Sequence, residues 1–164
     1  MKAWRISSKR GQLSRDDLLL TMKFGSDPKM LCVIRAALGQ LTESMGFAAE
    51  ESRGVVLAVD EALANVIRHA YGGELDRPID VSFRRVKIQE EDVMREGLEI
   101  VLADHGVPLK DVELRGRSLD EVRPGGLGLH LIRQNMDKVE FRHDRGRNNL
   151  RLVKFLAPEG GERV

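Results

Sequence analysis

The apolar residues of this chain change their spacing part-way along, and that change restricts the fold more than any other feature. Met30, Ile34, Ala37, Leu38, Leu41 and Met45 recur at helical spacing, the mark of a helix with one buried face. Val55, Val59, Leu63, Val66 and Ala70 repeat the pattern, broadened by Val56, Ala62 and Ile67. From Ile79 to Ile88 the residues alternate instead, as in a half-buried strand. Two helices in succession followed by strands point to helices layered on one face of a sheet.

Local signals divide the chain further. Leu18 to Phe24 reads as an edge strand. Ser26-Asp27-Pro28 supplies a cap and a first-turn proline for the first helix, and Gly46 a stop. The second helix begins near Ala49 and ends at Gly72-Gly73. Residues 90 to 97 are charged and close on Gly97, so they read as a hairpin connection to a central strand over Leu98 to Ala103. These two strands would pair antiparallel. Residues 105 to 126 have weak periodicity with glycines and prolines, as in a long functional loop. Leu127 to Met136 is a short apolar helix. Lys138 to His143 and Leu150 to Leu156 form a closing hairpin around Arg145-Gly146-Arg147-Asn148-Asn149. The predicted fold class is α+β: a two-layer sandwich with a mixed, mostly antiparallel sheet and helices on one face.

At 164 residues the chain suits one domain with a proper core. That domain is placed at residues 18–157, after a flexible basic extension at 1–17 and before a tail at 158–164. The net charge of +1 gives no field favouring nucleic acid or an anionic membrane. A single cysteine, Cys32, excludes an internal disulfide and fits a reducing compartment. No run is long enough to span a membrane, and the N-terminus lacks the apolar stretch of a secretory signal. A cytoplasmic location is expected.

Three segments carry chemistry. Glu61 and Asn65 are four residues apart, so they stack on one helix face, about 40° apart around the axis. A carboxylate there can take a proton from a hydroxyl, and a neutral amide oxygen suits magnesium. Asp104 closes an apolar strand before Gly106 and Pro108. It can accept from an exocyclic amine such as that of adenine, while Gly106 lets the backbone approach a flat ring. Gly125, Gly126 and Gly128 open the short helix, and unpaired amides at a helix start suit phosphate oxygens. The run is neither a dinucleotide fingerprint, since position 131 is Leu, nor a P-loop. Singly, these patterns are as readily a solvated helix face, an Asp-x-Gly turn and a helix cap. Together they are the parts of an ATP site.

The same residues resemble the GHKL ATPase superfamily, and within it the small anti-sigma-factor serine/threonine kinases. Leu57 to Tyr71 is similar to the family's N box, Asp104 to Pro108 to its first glycine box, and Arg123 to Ile132 to its second. The resemblance implies that Asn65 binds Mg2+, that Glu61 is the general base and that Asp104 reads the adenine amine of ATP or ADP. It places Gly106, Pro108, Gly125, Gly126, Leu127, Gly128 and Leu129 around the nucleotide, beneath a lid at residues 109 to 124. Arg35 is implied near the nucleotide and partner surface. Arg68 either reaches phosphate or is a solvated helix charge, and His69 either packs or meets the ligand. Where the family often carries Gly-Thr near the adenine, this chain has Arg147-Asn148-Asn149, with Asn149 offered as the replacement.

By that resemblance the expected activity is transfer of phosphate from Mg-ATP to a small anti-anti-sigma protein of STAS type, alternating with sequestration of a sigma factor. A homodimer is also implied. The competing readings are a nucleotide-dependent binding module without catalysis and a histidine-kinase ATPase domain lacking its dimerisation helices. Against the first stands Glu61, which mere binding does not need. Against the second stand the short lid and the absence of an upstream phosphoacceptor helix. The basic stretch Arg142, His143, Arg145, Arg147 and Arg151 reads as a solvated hairpin edge rather than a DNA surface.

Overall fold

The computed structural model of the protein describes residues 17–90, 93–108 and 127–157. The elements are β1 (Leu18–Gly25), a 3-10 turn (Pro28–Met30), α1 (Leu31–Ser44), α2 (Ala49–Asn65), a π-helical turn (Val66–Ala70), β2 (Pro78–Glu90), β3 (Val93–Asp104), α3 (Leu127–Asn135), β4 (Lys138–Asp144) and β5 (Arg147–Phe155). The strands lie in the order β1-β2-β3-β5-β4. The α+β sandwich is the predicted one, with one correction: the sheet is not mixed. Every pairing among the described strands is antiparallel. For β1 and β2 the cause is the helical pair. α1 and α2 run out and back, so the chain re-enters the sheet beside β1 in the opposite direction.

Local chemistry explains the helix boundaries. Asp27 caps the first turn by accepting from the Lys29 amide at 2.9 Å. Gly46 follows α1 with φ +88, a conformation that favours glycine. Glu51 reaches back to the Ala48 amide at 3.0 Å, closing the first turn of α2. Thr42 and Ser52 hydroxyls meet at 2.5 Å, stitching the end of α1 to the start of α2.

The core lies between the helices and one face of the sheet. Phe83 of β2 stands opposite Ile100 of β3, and Ile100 opposite Leu152 of β5. That row is fully buried beneath Ile34, Leu38, Val55, Val59, Leu63 and Ile132. Each such side chain contributes about 1.5–3 kcal/mol on burial, so the stripe that predicted α2 is also what holds it on the sheet. Among the described residues, no helix is long and apolar enough to cross a membrane.

Two predicted connections prove to be strand. Of residues 90 to 97, Glu90 ends β2 and pairs with Val93, from which β3 runs, and residues 91 and 92 lie outside the described residues. The charged residues here form cross-strand pairs, Arg85 with Glu96 at 2.5 Å and Lys87 with Glu96 at 3.2 Å. Gly97 marks close strand packing, not a turn. A β-carbon there would run into the Lys154 carbonyl and lie 2.9 Å from the Phe155 Cα. The closing turn is likewise shorter than five residues. Asp144 pairs with Arg147, leaving Arg145 (φ 50) and Gly146 (φ 75) as a two-residue turn of the twisted kind that hairpins favour. Arg147, Asn148 and Asn149 therefore belong to β5.

Candidate functional site

Glu61 and Asn65 occupy the last turns of α2, both half-buried. α3 packs along this helix in the opposite sense, with a glycine at each end of the contact. At one end Gly54 leaves room for Asn135, whose Oδ1 would lie 2.5 Å from any β-carbon at position 54. At the other, Gly128 leaves room for the Glu61 carboxylate, which fills the space its β-carbon would need. The first turn of α3, with its unpaired amides, is thereby brought beside Glu61. Leu127 opens that helix and Leu129 is half-buried on it. Gly125, Gly126 and the predicted lid at 109 to 124 lie outside the described residues.

The end of β3 is fastened to the π-helical turn that continues the same helix. Val107 donates to the Ala70 carbonyl at 2.8 Å. Gly106 sits so close to Ala70 that a β-carbon would lie 2.6 Å from its carbonyl carbon and 2.7 Å from its Cβ. The Tyr71 hydroxyl donates to the Pro78 carbonyl at 2.6 Å and accepts from the His105 amide at 2.9 Å. Burial raises the Tyr71 pKa, partly offset by the His105 N–H, so the phenol stays protonated and keeps both bonds. These contacts meet at the π-helical turn that follows Asn65 directly, a feature often found at functional sites.

Asp104 is buried, at 5 % exposure. Its Oδ1 accepts from the Gly106 amide at 2.8 Å and from Asn148 Nδ2 at 2.7 Å. Asn148 also donates to the Gly106 carbonyl at 3.1 Å. Asn149 lies elsewhere. It pairs with Ala103, whereas Asn148 pairs with Asp104, and neighbours along a strand face opposite ways. The side chain beside Asp104 is therefore that of Asn148, not that of Asn149. The residue pair was visible in the sequence, but choosing between its members needs the strand register.

The remaining predicted residues surround this arrangement. Arg68 lies 3.8 Å from Glu61 Oε1 and donates to the Ala64 carbonyl at 3.2 Å. His69 is exposed on the π-helical turn, and Pro108 is exposed beyond β3. Arg35 grips Asp60 through two hydrogen bonds, at 2.6 and 2.9 Å, tying α1 to α2 next to Glu61. That carboxylate raises the Arg35 pKa. Among the described residues no three His, Cys, Asp or Glu side chains gather to cage a metal.

One carboxylate, Glu61, thus lies beside a helix start across a glycine, and another, Asp104, is buried at a strand end fastened to the turn that follows α2. The family model described as histidine kinase-like ATPase domain matches residues 24–154. The chain belongs to the histidine kinase-like ATPase family. It is similar to curated proteins named serine-protein kinase RsbW. One from Bacillus pumilus is 32% identical over 149 residues, covering 86% of this chain and 88% of the relative. One from Bacillus subtilis is 28% identical over 153 residues, covering 88% of each. Two solved structures share the fold. A chain of the SiaB–SiaC complex from Pseudomonas aeruginosa has a TM-score of 0.56 at 16% identity, covering 94% of this chain and 100% of that one. The RsbU and RsbW domains of Rv1364c from Mycobacterium tuberculosis give 0.54 at 14%, covering 85% of this chain and 34% of that one.

Proposed function

We propose that this family member is an ATP-dependent serine/threonine protein kinase of the anti-sigma type. Its acceptor is a small STAS-type anti-anti-sigma protein, and in the alternate state it holds a sigma factor. It works as a cytoplasmic homodimer. The similarity to serine-protein kinases named RsbW over most of the chain supports this reading. The observation that carries it is the contact of Glu61 with Gly128, because a module that only bound nucleotide would need no carboxylate at the helix start.

Mg-ATP would supply the phosphoryl group, with the ion offsetting charge on the phosphates. Asn65 would hold the ion through its amide oxygen. The first amides of α3 would bind phosphate oxygens. The second oxygen of Asp104 would accept from the exocyclic amine of adenine. Glu61 would take the proton from the acceptor hydroxyl as the phosphoryl group leaves.

The test is incubation with labelled ATP, magnesium and a candidate STAS protein. Label should appear on a serine or threonine of that partner. It should vanish in Glu61→Ala while nucleotide affinity persists. Tight nucleotide binding without transfer to any partner would instead identify a binding module. Asn65→Ala should weaken magnesium-dependent nucleotide binding.

A further inference from the structure

Asn148 has both ends of its amide committed. It is 2 % exposed. Its Nδ2 faces two oxygens, Asp104 Oδ1 at 2.7 Å and the Gly106 carbonyl at 3.1 Å. Neither can donate when the carboxylate is ionised, so the nitrogen must point toward them. The amide oxygen then points away, to His143 Nδ1 at 2.7 Å. An amide oxygen only accepts, so His143 must carry a proton on Nδ1. Turning the amide over would set oxygen against two oxygens and cost it both of the bonds on that side, whereas His143 could still pair with it through its other tautomer. The orientation is therefore fixed from the Asp104 and Gly106 side, and His143 adds a second anchor.

The consequence falls on Asp104. Its Oδ1 already accepts from the Gly106 amide and from Asn148. Among the described residues Oδ2 accepts no hydrogen bond. Two donors on one oxygen hold the carboxylate plane and leave the other oxygen as the free acceptor. A purine with an amine at its six position can donate to that oxygen. A purine with a carbonyl there presents oxygen to oxygen and is repelled.

We infer that Asn148, anchored by the Gly106 carbonyl and by His143, is a positioning residue that aims Asp104 at the base and so sets the preference for a six-amino over a six-oxo purine nucleotide. The inference rests on the nucleotide-binding reading above. It predicts selectivity in the base, not a change in phosphate affinity.

The experiment measures dissociation constants for ATP and inosine triphosphate by calorimetry, with the whole chain and magnesium. The wild type should prefer ATP. Asn148→Ala should reduce the ratio of the two constants about tenfold, the effect of one well-placed hydrogen bond, by weakening ATP while leaving inosine triphosphate nearly unchanged. His143→Ala, at an exposed position, should reduce the ratio less and leave the melting temperature within a few degrees. It serves as the test if Asn148→Ala does not fold. An equal loss for both nucleotides, or an unchanged ratio in a folded variant, overturns the positioning role and leaves the kinase reading standing. No heat with either nucleotide in the wild type overturns both.

Discussion

The Glu61 carboxylate occupies the space that a β-carbon on Gly128 would need. The glycine thus serves the carboxylate, since a larger residue would push Glu61 aside. The atoms in the way are the end of a flexible side chain, so Gly128→Ala should fold. Its phosphoryl transfer should fall by about 10²–10⁴-fold, the usual contribution of a placed acid or base. ATP affinity should change only a few-fold. Single-turnover transfer and calorimetry on one preparation separate the two effects. Equal losses in both would assign Gly128 to phosphate binding alone.

Gly106 differs, because its neighbours are the backbone and Cβ of Ala70, which cannot swing away. Gly106→Ala should therefore spread the end of β3 from the π-helical turn. The expected cost is about 1–3 kcal/mol, as for other overpacked sites, read as a lower urea midpoint. Nucleotide affinity should fall with it, because Asp104 lies two residues away.

Tyr71 holds the Pro78 carbonyl and the His105 amide with one hydroxyl. Tyr71→Phe leaves both unpaired and should cost about 1–3 kcal/mol. Its folded pKa is raised above 10.0 by burial, so the phenol resists ionisation more when folded. Its contribution is full below the unfolded pKa and is lost as pH rises through the folded value. Denaturant melts across that alkaline range should show wild-type stability converging on that of Tyr71→Phe.

On the sheet face away from the helices, Arg151 bonds Glu99 and reaches Glu140 at 3.2 Å. Glu99 is only 8 % exposed. Arg151→Leu strands that carboxylate and should cost about 1–3 kcal/mol, below the cost at a fully buried pair because Arg151 is itself partly exposed. Adding Glu99→Gln should restore much of the loss, since the uncompensated charge is then gone. Equilibrium unfolding of the single and double variants tests this.

Much of the architecture was legible in the chain. The stripes from Met30 and Val55 placed α1 and α2, because a helix needs a buried face and spacing reveals it. The apolar runs placed β2, β3 and β5 for the same reason. The strand ends were misread where charge was taken for a loop. Arg85, Lys87 and Glu96 satisfy one another only once β2 and β3 are paired, and Gly97 looks like a turn residue until β5 lies against it.

The sequence by itself determined the two-layer fold and singled out the three candidate segments, because periodicity, caps and glycine runs are local properties. Only the tertiary structure decided which residues meet. It set Gly128 against Glu61, Gly106 against Ala70, and Asn148 rather than Asn149 beside Asp104. Each of these joins residues far apart along the chain, through helix packing or strand register. A one-residue change of register turns a side chain to the other face of the sheet, and no single stretch of sequence carries that information.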